Sequence, residues 1–273
     1  MSAAVSQSSP FAGDILVCAP HMDDDALGCG MLIALHARLG RVHVLFASDG
    51  SLSPQPPRDR PDAARELPAV RAAEALAGLA VLGVPRSNVS FLGMPDGSLA
   101  RHQGELSALV SDRAQAVHAT AVLVPFRYDR HPDHLALNRA ATSARIAGRI
   151  AADLVEYFVY AKWRLLRTGD VRDYAEPGDT VRIRSEEAAR LKRAALACHR
   201  TQTTMYFPGQ RRPILTGALL DRACAEPETF LFHRAGRNGR HGLARGRYWV
   251  PLACTLEPGL KRLKDRLIGE RVQ

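Results

Sequence analysis

Two short stretches concentrate the residue types able to perform chemistry. The first is His21 with Asp23, Asp24 and Asp25, inside ILVCAPHMDDDALGCG at 15–30. Three consecutive carboxylates repel one another, and the apolar residues on either side solvate them poorly. A cation removes that conflict, and histidine with aspartate is a ligand set that suits a borderline metal such as zinc. The same residues also suit an ordinary solvated loop that opens a helix, where the dipole favours carboxylates. The second stretch is RHPDH at 130–134, in which His131 and His134 stand three apart with Asp133 between them. A lone histidine is ordinarily a satisfied polar residue, but two histidines and several acids meeting at one place are not. His21, Asp24 and His134 would supply the three protein ligands usual in a catalytic zinc site, leaving a carboxylate beside the bound water.

Whether these residues meet depends on the elements that carry them. Apolar runs predict strands at Ile15–Ala19, Val42–Ala47, Val89–Leu92, Ala121–Pro125, Val155–Tyr160 and Glu228–His233. Helical spacing predicts helices at Met31–Leu39, Ala64–Leu82, Gly104–Val117, His134–Ile150 and Ser185–His199, with Pro68 placing the start of the second at about Leu67. Strand and helix alternate at spacings that suit βαβ crossovers, so the expected class is α/β: a Rossmann-like, doubly wound, mainly parallel sheet in a three-layer α/β/α sandwich. In such sheets the crevice lies at the carboxyl ends of the strands. His21–Asp25, Asp49, Asp96 and Arg127–His134 all follow predicted strands and are therefore expected on one edge. No repeat or shift in composition divides the chain. Residues 1–13 read as a flexible leader and 14–273 as one domain, whose less regular 168–273 part wraps or covers the site.

Composition narrows the class. Of 273 residues, 46% are apolar and 24% charged, as in a soluble globular protein with a full core. No apolar run approaches the roughly 20 residues of a membrane span, and the first residues lack the basic-then-apolar pattern of a secretory signal. The five cysteines are widely spaced without a CxxC, which argues against a disulfide framework and fits a cytoplasmic location. The formal charge of +9 permits a nucleic-acid or acidic-lipid partner. The arginines, however, are scattered or gathered in RAGRNGRHGLARGR at 234–247, with no aromatic platform, so nucleic acid is not expected. That stretch reads as a flexible loop or as a cationic flap over an anionic part of a substrate. Gly28-Cys29-Gly30 does not meet the GxGxxG spacing of a dinucleotide loop.

Together, PHMDDDALGCG at 20–30 and RHPDH at 130–134 resemble the two motifs of the zinc-dependent N-acetylglucosaminyl deacetylases of the PIG-L/LmbE-like family. That family reads roughly (A/P)HPDDE, four residues, then GG, and later HPDH or HxDH. RAAEALAGLAVLGV at 71–84, FLGMPDGSL at 91–99 and LKRAALACHRTQ at 191–202 are similar to family segments in the same order, so the resemblance covers about residues 14–235. It implies His21, Asp24 and His134 as ligands of one zinc ion per chain, with Fe2+ as the alternative metal. It implies Asp23 as general base, His131 as donor to the oxyanion, and Asp133 as the group that orients His131 and keeps it protonated. Arg71 and Asp96 match positions that contact the sugar in some relatives, although an ion pair between elements explains them equally. Arg130 is assigned to the substrate with them. The implied reaction is hydrolysis of the acetamide of a small N-acetylated amino sugar, an N-acetylglucosamine-type conjugate. An amidase acting on a non-sugar N-acyl substrate is the alternative, and a basic nucleotide- or nucleic-acid-binding Rossmann protein a more distant one; a homo-oligomer is left open. Met22 stands where the family has proline, Asp25 where it has glutamate, and Met31 where it has the second glycine. These departures bear on the substrate more than on the chemistry.

Overall fold

The computed structural model describes residues 5–6, 8–39, 41–60, 62–129, 131–159 and 180–233. Arg130, the 234–247 stretch and the other parts of 168–273 beyond 180–233 lie outside the described residues. The described residues form one sheet from β1 (Val5–Ser6), β2 (Ile15–Ala19), β3 (Val42–Ser48), β4 (Val89–Met94), β5 (Ala121–Pro125), β6 (Asp153–Tyr157), β7 (Thr180–Ile183) and β8 (Glu228–His233). The helices are α1 (Asp24–His36), α2 (Ala63–Val81), α3 (Gln103–Ala116), α4 (Pro132–Ile146), α5 (Glu186–Ala197), α6 (Arg200–Thr203) and α7 (Gly217–Ala225). The strand order is β1-β7-β8-β6-β5-β2-β3-β4. β2 to β6 pair in parallel, and β8 runs antiparallel between β6 and β7.

β2 is apolar at every position because both of its faces are covered. Ile15, Val17 and Ala19 enter a core shared with α1, α2 and α5, whereas Leu16 and Cys18 enter one shared with α3 and α4. The result is the three-layer α/β/α sandwich expected from the sequence. Val17 lies opposite Val44 on β3 and Leu123 on β5. From β2 the chain crosses to β3 on one side, and later lays β5 on the other, so the crossovers diverge between β2 and β5. A ligand crevice opens at the carboxyl ends of such a strand pair, and each of the two motifs follows one strand of it.

Some boundaries differ from the sequence expectation. α1 begins at Asp24, not Met31: the acids form its first turn, and the glycines that follow hide its helical periodicity. α2 begins at Ala63 and carries Pro68 within it. The missing amide of Pro68 costs the Ala64 carbonyl its helical partner in the first turns of the helix, where the neighbouring Arg65 and Glu66 are exposed and the loss is least costly. β7, α6 and α7 are too short and irregular in sequence to have been predicted. Of the residues read as a leader, Val5–Ser6 pair with β7, Ser9 Oγ lies 2.9 Å from His36 Nδ1, and Phe11 stacks on Phe232.

Gly28 and Gly30 lie inside α1, where a side chain would not fit. A Cβ on Gly28 would stand 2.3 Å from Tyr157 Cδ2, and one on Gly30 would stand 2.7 Å from Lys192 Cγ. The glycines therefore serve close packing of α1 on β6 and α5 and form no phosphate loop.

Candidate functional site

Pro20 ends β2 and the chain turns at once into α1, burying His21, Asp23, Asp24 and Asp25. Asp24 Oδ2 accepts the backbone N–H of His21 at 3.0 Å and lies 3.1 Å from His21 Nδ1. The same oxygen lies 3.1 Å from His134 Nε2, delivered by the first turn of α4. His131 is the N-cap of α4, and its Nδ1 accepts the backbone N–H of Asp133. Its ring centroid lies 4.6 Å from that of His21 and 5.2 Å from that of His134. One nitrogen each from His21, His131 and His134 falls within 4.8 Å of the others, as do His21, Asp96 and Asp133 through one atom each.

His21 and His134 both have carboxylates on their outer nitrogens. His21 Nε2 lies 3.2 Å from Asp96 Oδ1 and 3.4 Å from Asp133 Oδ2, and His134 Nδ1 lies 3.4 Å from Asp129 Oδ2. Carboxylates placed behind histidines are the usual outer support of metal-ligating imidazoles. Bonds of about 2.1 Å to a tetrahedral zinc place neighbouring ligand atoms about 3.4 Å apart, close to the 3.1 Å that separates Asp24 Oδ2 from each histidine nitrogen. The residues present therefore fit a divalent metal.

The electrostatics lead to the same place. Burial opposes protonation of His21, yet Asp133, Asp24 and Asp96 hold its pKa well above the usual value. Burial likewise opposes, and Asp24 and Asp129 outweigh it for, His134, whose pKa rises to about 9. Burial would lift the Asp24 carboxyl, but His134 and His21 hold it well below the carboxylate range. The acids thus create a strong demand for positive charge between these side chains. Asp23 is raised by burial, against the pull of Arg71. Burial raises Asp25 to about 7, helped by Asp23 and Asp24, and its Oδ1 has no hydrogen-bond partner.

Three assignments carried by the resemblance meet a different geometry. The Asp133 carboxylate accepts the N–H groups of Gly97 at 2.8 Å and Leu99 at 3.1 Å and turns to His21, so the hydrogen bond of Asp133 to His131 comes from its backbone N–H, and its charge favours the protonated ring only against larger opposing effects. Burial, with His21 and His134 nearby, lowers the pKa of His131 and so favours its neutral form, not a protonated one. Arg71 is 1% exposed: its guanidinium donates to the carbonyls of Gly50 and Ser53, both at 3.1 Å, and to Asp23 Oδ1 at 3.3 Å. Asp96 divides its carboxylate between His21 and the N–H of Leu52. Arg71 and Asp96 therefore face the protein, and the ion pair that forms is Arg71 with Asp23. Asp49 Oδ1 accepts the amides of Ser51 and Asp96 and ties the two loops together. Asp129, which sequence reasoning gave no role, was detectable only as an acid in the run after β5.

Residues 16–145, which hold both motifs, match the family model described as PIG-L, GlcNAc-PI de-N-acetylase. The chain carries a PIG-L domain. Curated proteins gave no match. Solved structures with a similar fold include N,N′-diacetylchitobiose deacetylase from Pyrococcus horikoshii, 17% identical, covering 86% of this chain and 88% of that one with a TM-score of 0.59. The A40926 pseudoaglycone deacetylase Dbv21 is 24% identical, with 84% of this chain and 100% of that one covered and a TM-score of 0.55. GalB, the 4-carboxy-2-hydroxymuconate hydratase of Pseudomonas putida KT2440, is 18% identical, with 85% and 100% covered and a TM-score of 0.55. At these identities the likeness shows a shared fold, and the PIG-L match spans four of its parallel strands, β2 to β5, together with α4. Among the described residues, no helix is long and apolar enough to cross a membrane.

Proposed function

We propose that the protein is a divalent-metal-dependent N-deacetylase that hydrolyses the acetamide of a small N-acetylated amino sugar, of the N-acetylglucosamine-conjugate type. The observation that carries this reading is the meeting of His21 Nδ1 and His134 Nε2 on Asp24 Oδ2, with Asp23 next in the chain. The PIG-L domain and two deacetylases of the same fold support it. The hydratase of that fold makes the reaction, more than the architecture, the point to test.

His21, Asp24 and His134 would hold zinc, or Fe2+ as the alternative, and the ion would supply Lewis acidity toward water and the amide carbonyl. Asp23 takes the proton of the attacking water on a carboxylate oxygen, while Arg71 holds the other end of that side chain in place. Because His131 Nδ1 accepts the Asp133 amide, the neutral ring carries its N–H on Nε2 and can donate a hydrogen bond to the carbonyl oxygen as charge develops, keeping its proton throughout. Asp23 then returns its proton to the departing nitrogen, so water and amide become acetate and free amine. A cytoplasmic location belongs to the same proposal and is supported by the described cysteines, Cys18, Cys29, Cys198 and Cys224, all of them free thiols.

The test is metal analysis of the purified protein with an acetate-release screen over N-acetylglucosamine conjugates. Asp23→Asn should keep its metal and lose activity by about 10²–10⁴-fold, whereas His134→Ala should lose both. An active Asp23→Asn enzyme, or hydration of an unsaturated acid without acetate release, would overturn the reading.

A further inference from the structure

α1 contains a buried ion pair set into its own hydrogen-bond ladder. The carbonyl of Leu27 and the amide of Met31 are the two ends of one i,i+4 rung. Each has a partner from outside the helix. Lys192 Nζ, on α5, donates to the Leu27 carbonyl at 2.7 Å. Glu228, at the start of β8, accepts the Met31 amide on Oε1 at 2.8 Å and the Leu32 amide on Oε2 at 2.9 Å. Lys192 Nζ and Glu228 Oε1 complete the set at 2.7 Å, with side chains 1% and 3% exposed. Gly30 leaves the space that the stem of Lys192 occupies.

Stability alone does not account for this arrangement, because a buried ion pair is commonly no better than apolar residues of equal volume. Its geometry is specific to the helix it enters. The ammonium takes a carbonyl, as a cation does at a helix C-terminus, and the carboxylate takes two amides, as an anion does at an N-terminus. The pair thus grips the middle of α1 with the contacts a cation and an anion ordinarily make at helix ends. The amide of Leu27 in turn donates to the carbonyl of Asp23 at 2.9 Å. One residue, Leu27, therefore links Lys192 to the turn that presents Asp23 and Asp24.

We infer that Lys192 and Glu228 are positioning residues, a wedge that holds the first turn of α1 in the orientation that brings Asp24 to His134 and leaves Asp23 beside them. The inference rests on the reading of Asp24 as metal ligand and Asp23 as base. Without the wedge the first turn of α1 loses its ties to α5 and β8 and moves relative to α4.

The test compares Lys192→Met, Glu228→Met and the double variant, measuring unfolding temperature, metal affinity by chelator competition, and kcat and KM for acetate release. The single variants should be destabilised. The double variant should regain wild-type thermal stability, yet bind metal about 10-fold more weakly and turn over about 10²-fold more slowly at unchanged KM. Recovery of metal affinity and kcat together with stability would reduce the pair to a packing feature and overturn the inference. Glu228→Gln preserves the shape of the site should the double variant not fold. Its carboxamide cannot accept both amides, so it should show the same loss of metal affinity, and wild-type affinity in it would also overturn the wedge. A wild-type protein that binds no metal and releases no acetate would instead defeat the reading of Asp23 and Asp24.

Discussion

Arg71 separates two accounts of the site most sharply. By resemblance it reaches the substrate; in the structure it is 1% exposed and its guanidinium is taken up by Gly50, Ser53 and Asp23. Arg71→Met keeps the buried stem and removes the charge, leaving Asp23 Oδ1 and two carbonyls without their donor. Removing one partner of a buried pair costs about 3–5 kcal/mol. For a chain of this length, at about 2–4 °C per kcal/mol, the unfolding temperature should fall by about 6–20 °C. The same change frees the proposed base, and a displacement of about 1 Å costs about 10²-fold in kcat. KM should stay near its wild-type value, because no group that binds substrate is removed. Metal content should also hold, since Arg71 touches none of His21, Asp24 and His134. Thermal unfolding, metal analysis and acetate release across substrate concentrations read all three quantities on one preparation. A higher KM with unchanged kcat and unchanged melting would refute the positioning role and return Arg71 to the substrate.

Other substitutions probe the supports around the site. Asp133→Asn puts an amide where Gly97, Leu99 and His21 now meet a carboxylate, and metal affinity by chelator competition should weaken by about 10–100-fold; intact affinity with reduced kcat would restore Asp133 to His131. Gly28→Ala sets a methyl 2.3 Å from Tyr157 Cδ2, so chemical denaturation should show a loss of about 1–3 kcal/mol, and unchanged stability would contradict the close approach of α1 to β6. Glu156 responds to acid: burial opposes its ionisation, but Arg127 and His233 hold its carboxyl down from 4.5 to about 2. A lowered folded-state pKa stabilises the protein above the unfolded pKa, and the benefit disappears as pH falls from about 4.5 to about 2. The benefit is on the order of 3 kcal/mol. Glu156→Gln should therefore be less stable than wild type at neutral pH, with the gap closing toward pH 2; a pH-independent gap would show that Glu156 does not titrate in that window.

The chain spells out its local structure. β2 and β5 coincide with apolar runs visible in the sequence, because a strand covered on both faces must be apolar along its whole length, and β8 was marked by its Phe-Leu-Phe centre. The two motifs were legible as a charge conflict next to histidines, and their position after strands foretold one shared edge. α1 was less legible, since Gly28 and Gly30 lower helix propensity and only Tyr157 and Lys192 show why they are there. Asp129 was invisible as an outer partner of His134, being one acid among several in a loop.

What the sequence determined by itself is therefore the class of fold, the crevice and the kinds of atom brought to it. Which atom meets which was decided by tertiary structure. Asp133 serves His21 instead of its neighbour His131, Arg71 turns inward onto Asp23, and Glu228 reaches the amide of Met31 across 197 residues of chain. The physical reason is one of range. Periodicity and turn chemistry are set by neighbours along the chain, whereas a buried polar atom takes the nearest partner that packing leaves within about 3 Å. That partner is chosen by how α1, α4, α5 and β8 settle against one sheet.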